Sequence, residues 1–569
     1  MTIREIMFEN KKVYYKILLS VIISILIIII SNIIIQPRIF NVNGIFNHFK
    51  VRITINIGLA CFVFLGTFFI LTFIEKLRNK DKYYKLWLIN FCIYFVIMAI
   101  FLLLMWPGHW VWDEFWQLRT AVNLEIDTWQ SYFTIIYMSI CIMLIPFPAG
   151  IVIIQITILS TICSWVYTKI YTKYKNKIIN FIFFIFMLTP AVIINNLYPL
   201  RLTMYSYILL LFMSILLFDW IEGKKLTVYK FLLISFLTFI LMIWRSEGII
   251  FLFIEPLLVS LVYKNVNKKI LTVVALIILN IIIIKFNNIY LNILTRDAKK
   301  NEDTYSLTIF INPLSEMLQS DLKGKNIDED LENIDKVLNI EVLKANPSYV
   351  EIPSFWNNTD ELIRENWQEN LGEFKKSYVK IIINNWQEFL KARIKTFLAT
   401  SCCYEDNFAH IKGGSGLLSY YTDPNFSSDE INIFLHNYKF SKPINKDLKI
   451  NVESFFMGKD FYTQTNNKAF ILIFWNVIPI LLVVLICFIT SIFKKKYIFS
   501  LVFIALMTNF IIIFFTAPSN FFMYYVPFYI CGTIISLIFI AQNIEDKNKI
   551  VNKKIKLLNS KGDVEKNER

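Results

Sequence analysis

Long uninterrupted runs of aliphatic residues limit what this chain can fold into more than any other feature. The runs 21–30 and 281–284 are almost wholly isoleucine, leucine and valine, and each lies within a longer apolar stretch. A helix needs about 20 predominantly apolar residues to cross the hydrocarbon core of a bilayer. Only 18% of the residues are charged, against about a quarter in soluble domains. We therefore predict an all-α polytopic membrane protein.

Apolar segments long enough to cross the membrane recur along the chain, and we expect about twelve crossings. The predicted spans are 15–35, 55–74, 86–106, 149–168, 178–195, 202–218, 231–244, 248–262, 270–290, 470–493, 497–516 and 521–541. A further apolar run, 131–145, is short for a span and ends in Ile145-Pro146-Phe147-Pro148. We interpret that run as a re-entrant or interface-lying helix.

Lysine-rich loops orient these spans, because cytoplasmic loops of membrane proteins carry an excess of Lys and Arg. The basic loops are 75–85, 169–177, 224–230, 264–269, 494–496 and the tail after Lys547. If all of them are cytoplasmic, this is a multi-pass protein of the cell membrane with both termini in the cytoplasm, and the intervening loops, with the candidate site, lie on its outer face. The net charge of +15 then reflects topology, and no nucleic-acid partner is predicted.

The spans divide the chain into five parts. They are N-terminal transmembrane helices (1–85), a transmembrane core (86–290) with a first outside loop (106–130), an extracytoplasmic domain (291–469), C-terminal transmembrane helices (470–541) and a basic cytoplasmic tail (542–569). The interval 291–469 is too long for a structureless connection. Helical patterns at 328–344 and 373–400 predict a mostly helical domain, and the second helix fits either the outer membrane surface or a domain core.

The first outside loop holds two adjacent carboxylates, Asp113 and Glu114, soon after His109. Four Trp and one Phe fall within 106–116, a density typical of an aromatic belt at the membrane interface. A belt alone accounts for the aromatic residues and does not require the carboxylate pair. A carboxylate near low dielectric tends to a raised pKa, which suits a general base near neutral pH.

Basic residues at other predicted outside helix ends are candidates for binding an anion. They are Arg201, Arg245 and Lys285, with Arg296 soon after. Arginine on the outside opposes the usual charge bias. Binding of a phosphate by the guanidinium fork is one explanation. Pairing with lipid headgroups, or of Arg245 with Glu247, is the alternative.

Three further features bear on function. Glu255, beside Pro256, is acidic inside an apolar span and is either functional or hydrogen-bonded to a carbonyl that the proline frees. The run 413–416, after His410 and Lys412, lacks the P-loop pattern and is interpreted as a flexible loop near the site. The four histidines lack metal spacing, so no cofactor is predicted, although a divalent metal ion stays open.

These motifs resemble the GT-C superfamily of multi-pass glycosyltransferases, which use polyprenyl-phosphate sugars on the outer face of the membrane. Residues 107–113 match a Pro-Gly-x-x-x-x-Asp loop of bacterial families within it. Asp113-Glu114 is similar to the first-loop pair of protein O-mannosyltransferases and aminoarabinose transferases. Arg245-Ser246-Glu247-Gly248 and the pair Tyr524-Tyr525 are further similarities. The chain departs from many relatives at 127–131, where they have His-Pro, and in two extra preceding spans.

The resemblance implies a GT-C-like bundle and an inverting transfer of sugar. Asp113 would orient or deprotonate the acceptor, Glu114 would be a second carboxylate, and Arg201, Arg245 and Lys285 would hold the donor phosphate. His109, Glu247, Glu255, Tyr524 and Tyr525 are further site candidates. The implied partners are a polyprenyl-phosphate-linked sugar, membrane lipids and a glycan, lipid or cell-wall polymer acceptor. A transporter or flippase, a polymerase of lipid-linked glycans and a non-catalytic scaffold are the alternatives.

Overall fold

The computed structural model describes residues 3–35, 40, 49–126, 131–263, 269–295, 304–350, 355, 359–404, 441–459 and 465–567. Within these ranges the chain forms helices and no strand, which confirms the all-α class. The helices before the outer domain are α1 (Ile3–Ile30), α2 (Phe49–Arg78), α3 (Lys82–Leu104), α4 (Trp112–Val122), α5 (Tyr132–Leu144), α6 (Pro148–Tyr174), α7 (Lys177–Met187), α8 (Pro190–Asn196), α9 (Arg201–Ile221), α10 (Val228–Trp244), α11 (Phe251–Val262) and α12 (Lys269–Thr295).

The remaining helices form the C-terminal part and the domain predicted to be extracytoplasmic (291–469), which we call the outer domain. In the outer domain they are α13 (Thr308–Met317), α14 (Ile327–Asp335), α15 (Ile340–Ala345), α16 (Thr359–Leu362), α17 (Trp367–Asn384), α18 (Trp386–Thr400) and α19 (Lys446–Phe456). They are followed by α20 (Lys468–Phe474), α21 (Ile478–Phe493), α22 (Tyr497–Thr516) and α23 (Val526–Asn567). The backbone of α23 is helical through most of the predicted basic tail.

Nine helices of the described chain are long and apolar enough to cross a membrane, or ten if one bent pair counts as a single span. The predicted number of about twelve is not confirmed. The segment predicted at 178–195 is the bent pair α7 and α8, which meet at 56°, because Pro190 cannot continue the hydrogen-bond ladder of α7. The segments predicted at 231–244 and 248–262 are the shorter helices α10 and α11, of 17 and 12 residues.

Helix α5 begins and ends at the same end of the bundle. Ser131 Oγ donates a hydrogen bond to the carbonyl of Ile243, at the C-terminal end of α10, at 2.9 Å. Near the other end of α5, the Met143 carbonyl accepts a hydrogen bond from Ser31 Oγ, beyond the C-terminus of α1, at 3.0 Å. The lysines of α1 and α10 lie at the opposite ends of those helices. These contacts agree with the interpretation of 131–145 as a helix that does not cross.

Several of the lysine-rich loops that the structure describes form ion pairs at one end of the bundle, which we call the basic end. Lys169 pairs with Glu222 and Lys230 with Asp219, each at 2.7 Å. Lys496 pairs with Asp546 at 2.6 Å. The outer domain lies at the opposite end, where Arg393 and α19 contact the ends of α22 and α3. The separation agrees with the predicted topology, and the side of the membrane that each end faces stays a prediction.

Cysteine labelling tests that topology. In a background without native cysteines, Lys80→Cys is expected to resist an impermeant maleimide in intact cells, because a lysine-rich loop favours the cytoplasmic side. Lys376→Cys, on the outer domain where Lys376 is 68% exposed, is expected to react. Reaction of the Lys80 position before permeabilisation would reverse the orientation proposed here.

The outer domain contains a hydrophobic core of its own, which includes Leu314, Ile334 and Phe374. The single helices predicted at 328–344 and 373–400 are each broken in two. The second breaks at Asn385, whose side chain accepts a hydrogen bond from the Lys323 N–H at 2.7 Å and donates one to the Lys323 carbonyl at 2.8 Å. These bonds tie the break to a neighbouring loop.

Helix α18 connects the outer domain to the transmembrane bundle through Arg393, which is 1% exposed. Its guanidinium donates to the carbonyls of Phe514 and Ala517 at 2.8 and 2.9 Å. These carbonyls lie in the last turn of α22 and just after it, where a cation interacts favourably with the helix dipole. The loop that follows, 517–521, leads to Tyr524.

Candidate functional site

The loop before α4 is held in place by backbone contacts. The His109 N–H donates to the Leu197 carbonyl at 2.9 Å, and Trp110 Nε1 donates to the Pro107 carbonyl at 3.3 Å. Gly108 has φ +113°, and a Cβ there would lie 2.8 Å from the Leu197 oxygen. Only glycine accommodates both that angle and that approach without strain. The Pro-Gly pair therefore brings the start of α4 against the loop between α8 and α9.

Asp113 and Glu114 occupy the first turn of α4. Burial raises the pKa of Asp113 to about 6, although the nearby Arg201 charge opposes the rise. Burial, and then the negative charge of Asp113, raise the pKa of Glu114 well above its ordinary value. Two buried neighbouring carboxyls disfavour the ionisation of both at once, because each negative charge opposes the other. At neutral pH a pKa of about 6 leaves Asp113 ionised, whereas Glu114 holds its proton more tightly than an exposed glutamate does.

Tyr198 connects the carboxylate pair to the loop. Its hydroxyl lies within hydrogen-bonding reach of Glu114, and Tyr198 belongs to a small hydrophobic cluster against which Val111 and Tyr524 pack. The His109 ring meets the Tyr198 ring edge-on, with centroids 5.1 Å apart. Tyr198 was not among the residues predicted for the site, although it lies only three positions before Arg201.

Two guanidinium groups lie near the carboxylate pair: Arg201 is within electrostatic range of Asp113, and Arg245 is within electrostatic range of Arg201. Arg201 begins α9 and Arg245 follows the end of α10. Arg201 is within electrostatic range of Asp113, Arg245 and Glu247. It forms no hydrogen bond or ion pair with any residue that the structure describes. Two neighbouring cations, one of them without a hydrogen-bonded counter-ion, make a local environment that favours an anion.

Arg245 is paired with Glu247 but not saturated by it. Nε donates to Glu247 Oε2 at 2.9 Å and Nη2 donates to Oε1. Burial alone would raise the pKa of Glu247, but the Arg245 charge and hydrogen bonds lower it to about 2. Arg245 Nη1 is buried without a partner in the described chain. The Arg245–Glu247 pair, predicted from the sequence as the alternative, is thus present, and it leaves Nη1 of Arg245 able to donate to a ligand.

The glycine of the Arg-Ser-Glu-Gly motif is required for a steric reason. Ser246–Ile250 is a short 3₁₀ turn between α10 and α11. A Cβ on Gly248 would lie only 1.9 Å from the Leu241 carbonyl oxygen. Glycine therefore lets the turn fold back on α10 and bring Glu247 to Arg245.

The other predicted residues separate into two groups. Tyr524 lies within electrostatic range of Asp113 and Arg245, whereas its neighbour Tyr525 packs its ring against Phe397 and Phe510 in the hydrophobic core. Glu255 is buried in α11 and accepts a hydrogen bond from Asn280 Nδ2 at 3.3 Å. Lys285 is exposed on α12. The structure does not bring Tyr525, Glu255 or Lys285 into the cluster.

Several buried polar atoms at and near the carboxylate pair have no hydrogen-bond partner among the described residues. Gln117 is one helical turn after Asp113 and 1% exposed, and neither atom of its amide has a partner among the described residues. Glu114 Oε2 is also unpartnered in the part of the chain that the structure describes. Buried polar atoms are normally hydrogen-bonded. The i, i+4 spacing was a signal that could have identified Gln117 in advance.

The outer domain also contributes to the cluster. Tyr305 lies in the 3₁₀ turn Thr304–Leu307, within electrostatic range of Arg201, Asp113 and Arg245. Burial raises the pKa of its hydroxyl. Tyr305 is far from the first loop in sequence, and no local pattern distinguished it from other tyrosines.

Some predictions cannot be placed. Arg296, His410, Lys412 and the glycine-rich run 413–416 lie outside the described residues, as does most of 127–131. No group of three or more His, Cys, Asp or Glu side chains within the described ranges is arranged to hold a metal ion. A divalent metal ion stays an open alternative.

Comparisons with protein-family models, with curated proteins and with solved structures find no match to this chain. The cluster of Asp113, Glu114, Arg201, Arg245 and Tyr524 is therefore the basis for any functional proposal.

Proposed function

We propose that this protein is a membrane glycosyltransferase that moves a sugar from a polyprenyl-phosphate donor to a glycan, lipid or cell-wall polymer acceptor outside the cytoplasm. The observation that carries the proposal is that Asp113, a carboxylate with a raised pKa, lies within electrostatic range of Arg201, a guanidinium without a hydrogen-bond partner in the described structure. A base and an anion-binding group side by side match the two needs of this transfer.

The proposed step is an inverting displacement at the anomeric carbon. The acceptor hydroxyl oxygen forms a bond to that carbon while the bond from the carbon to the phosphate oxygen breaks. Asp113 accepts the hydroxyl proton, and polyprenyl phosphate leaves with the bonding electrons. Arg201 and the unpartnered Nη1 of Arg245 stabilise the charge that develops on the leaving phosphate.

A hydroxyl-rich substrate would also satisfy the unpartnered polar atoms beside Asp113. Glu114 Oε2 and both amide atoms of Gln117 are buried. A sugar hydroxyl can donate to a carboxyl oxygen and accept from an amide at the same time. These groups support a carbohydrate rather than an apolar ligand.

The position of the cluster supports a lipid-linked donor. Arg201 begins one of the helices long and apolar enough to cross a membrane, and Arg245 lies at the end of α10. A donor whose lipid stays in hydrocarbon must present its phosphate at such helix ends. The motif resemblance to the GT-C superfamily supports the same donor class.

Sugar transfer can be measured directly. Purified protein in liposomes is incubated with a radiolabelled polyprenyl-phosphate sugar and a cell-envelope acceptor fraction, and label in the acceptor is counted. The expected result is incorporation that requires the protein and rises with donor concentration. Label that changes leaflet while still attached to the polyprenyl phosphate would support a flippase instead.

A further inference from the structure

A buried lysine of the outer domain holds the loop before the carboxylate pair. Lys449 lies on α19 and is 0% exposed. Its ammonium donates to the Gly108 carbonyl at 2.6 Å and to the Met105 carbonyl at 3.2 Å. These carbonyls lie on either side of the Trp106-Pro107 pair. One side chain from more than 300 positions away thus binds both ends of the segment 105–108.

An adjacent carboxylate completes this arrangement. Glu453 Oε1 lies 3.3 Å from Lys449 Nζ, one helical turn away on α19, and 3.4 Å from His109 Nδ1. Burial alone would raise the pKa of Glu453, but Lys449 and His109 lower it. Glu453 is therefore an ionised group between the lysine and the histidine. Desolvation makes a buried ion pair a weak source of net stability, and fixing geometry is a better explanation for it.

The contacts continue from this ion pair to the carboxylates. His109 packs edge-on against Tyr198, whose hydroxyl reaches Glu114. The loop leads directly into α4, so Asp113 follows His109 by four positions. A shift of the loop would therefore move Asp113 relative to Arg201, which begins a different helix.

We propose that Lys449 and Glu453 are positioning residues, which hold the 105–109 loop so that α4 presents Asp113 to the acceptor at the Arg201 site. This role rests on the proposed function as far as catalysis is concerned. The effect on the loop itself is independent of the reaction. Helix α19, which packs against the transmembrane bundle, would then support the catalytic loop directly.

Lys449→Met preserves much of the length of the side chain and removes the ammonium that holds the two carbonyls. The expected result is a fall in kcat of up to about 10²-fold, since small displacements of reacting groups cost that much. The donor KM is expected to stay within about twofold. Hydrogen–deuterium exchange of peptides covering 105–112 is expected to become faster in the full-length protein.

Control variants separate positioning from general damage. Lys376→Met removes a lysine from an exposed Lys376–Glu373 pair in the same domain and is expected to change neither readout. Lys449→Arg keeps a charged donor and is expected to recover part of kcat. In an Asp113→Asn background, Lys449→Met is expected to add little further loss, because both act on one step. Glu453→Gln replaces Lys449→Met in these measurements if the latter does not reach the membrane.

The outcomes distinguish the two proposals. Parental exchange of 105–112 in Lys449→Met and Glu453→Gln would overturn the positioning role whatever the reaction is. Faster exchange with parental kcat would overturn its catalytic part. Faster exchange in a protein whose parent transfers no sugar would instead reject the glycosyltransferase proposal and keep the structural part of this one.

Discussion

Asp113→Asn is expected to lower the rate of sugar transfer by about 10²–10⁴-fold, the usual cost of losing a general base. Asparagine preserves the size of the side chain and most of its hydrogen bonding, so the amount of protein in the membrane should stay at the parental level. The measurement is transfer from a polyprenyl-phosphate donor in membranes that contain equal amounts of each variant. Transfer at the parental rate would reject the mechanism and favour the transporter alternative.

The pH dependence of the parental protein is an independent test of Asp113 as the general base. A base works only when deprotonated, and burial raises the pKa of Asp113 to about 6. The acidic limb of the kcat/KM profile is therefore expected near pH 6, with activity falling as the pH drops through it. Glu114→Gln should cost less than Asp113→Asn, because Glu114 is not the proposed base and glutamine preserves the size of its side chain.

Much of the membrane architecture followed from the sequence because lipid leaves the backbone few alternatives. A lipid-exposed segment must satisfy its own hydrogen bonds, so a long apolar run becomes a helix. The breaks were harder to predict. Pro190 and the Arg245–Gly248 turn interrupt segments whose average hydropathy favours a span, and a window average does not register a single proline or a close backbone approach.

The site could be predicted only where its residues share a loop or a helix end. Asp113, Arg201 and Arg245 were recognised because charges at such places are unusual. Tyr524 and Tyr525 are adjacent, and only the 3₁₀ turn Phe522–Tyr525 decides which of them faces the cluster. Lys449 could not be found by pattern, because its partners are backbone carbonyls more than 300 positions away.

Arg201→Ala is expected to lower kcat by about 10²–10³-fold, comparable to the loss of one group that stabilises charge in a transition state. Arg201 forms no hydrogen bond or ion pair within the described chain, so its removal breaks no buried pair. Arg201→Lys should give an intermediate rate, because a point charge replaces a planar fork. Initial rates at saturating donor, together with the amount of each variant in the membrane, provide the measurement.

Arg245→Ala needs a different control, because it leaves Glu247 buried without its counter-ion and so endangers folding. Arg245→Lys keeps a positive charge beside Glu247 while a single ammonium replaces the planar guanidinium fork, and it should weaken transfer without loss of protein. Arg364→Ala, which removes an outer-domain arginine bound to Asp335 at 2.7 Å, is the matched control and should transfer at the parental rate. If Arg201→Ala and Arg245→Ala both retain full activity, neither arginine binds the donor phosphate. Pairing with lipid headgroups would then explain why they lie at these helix ends.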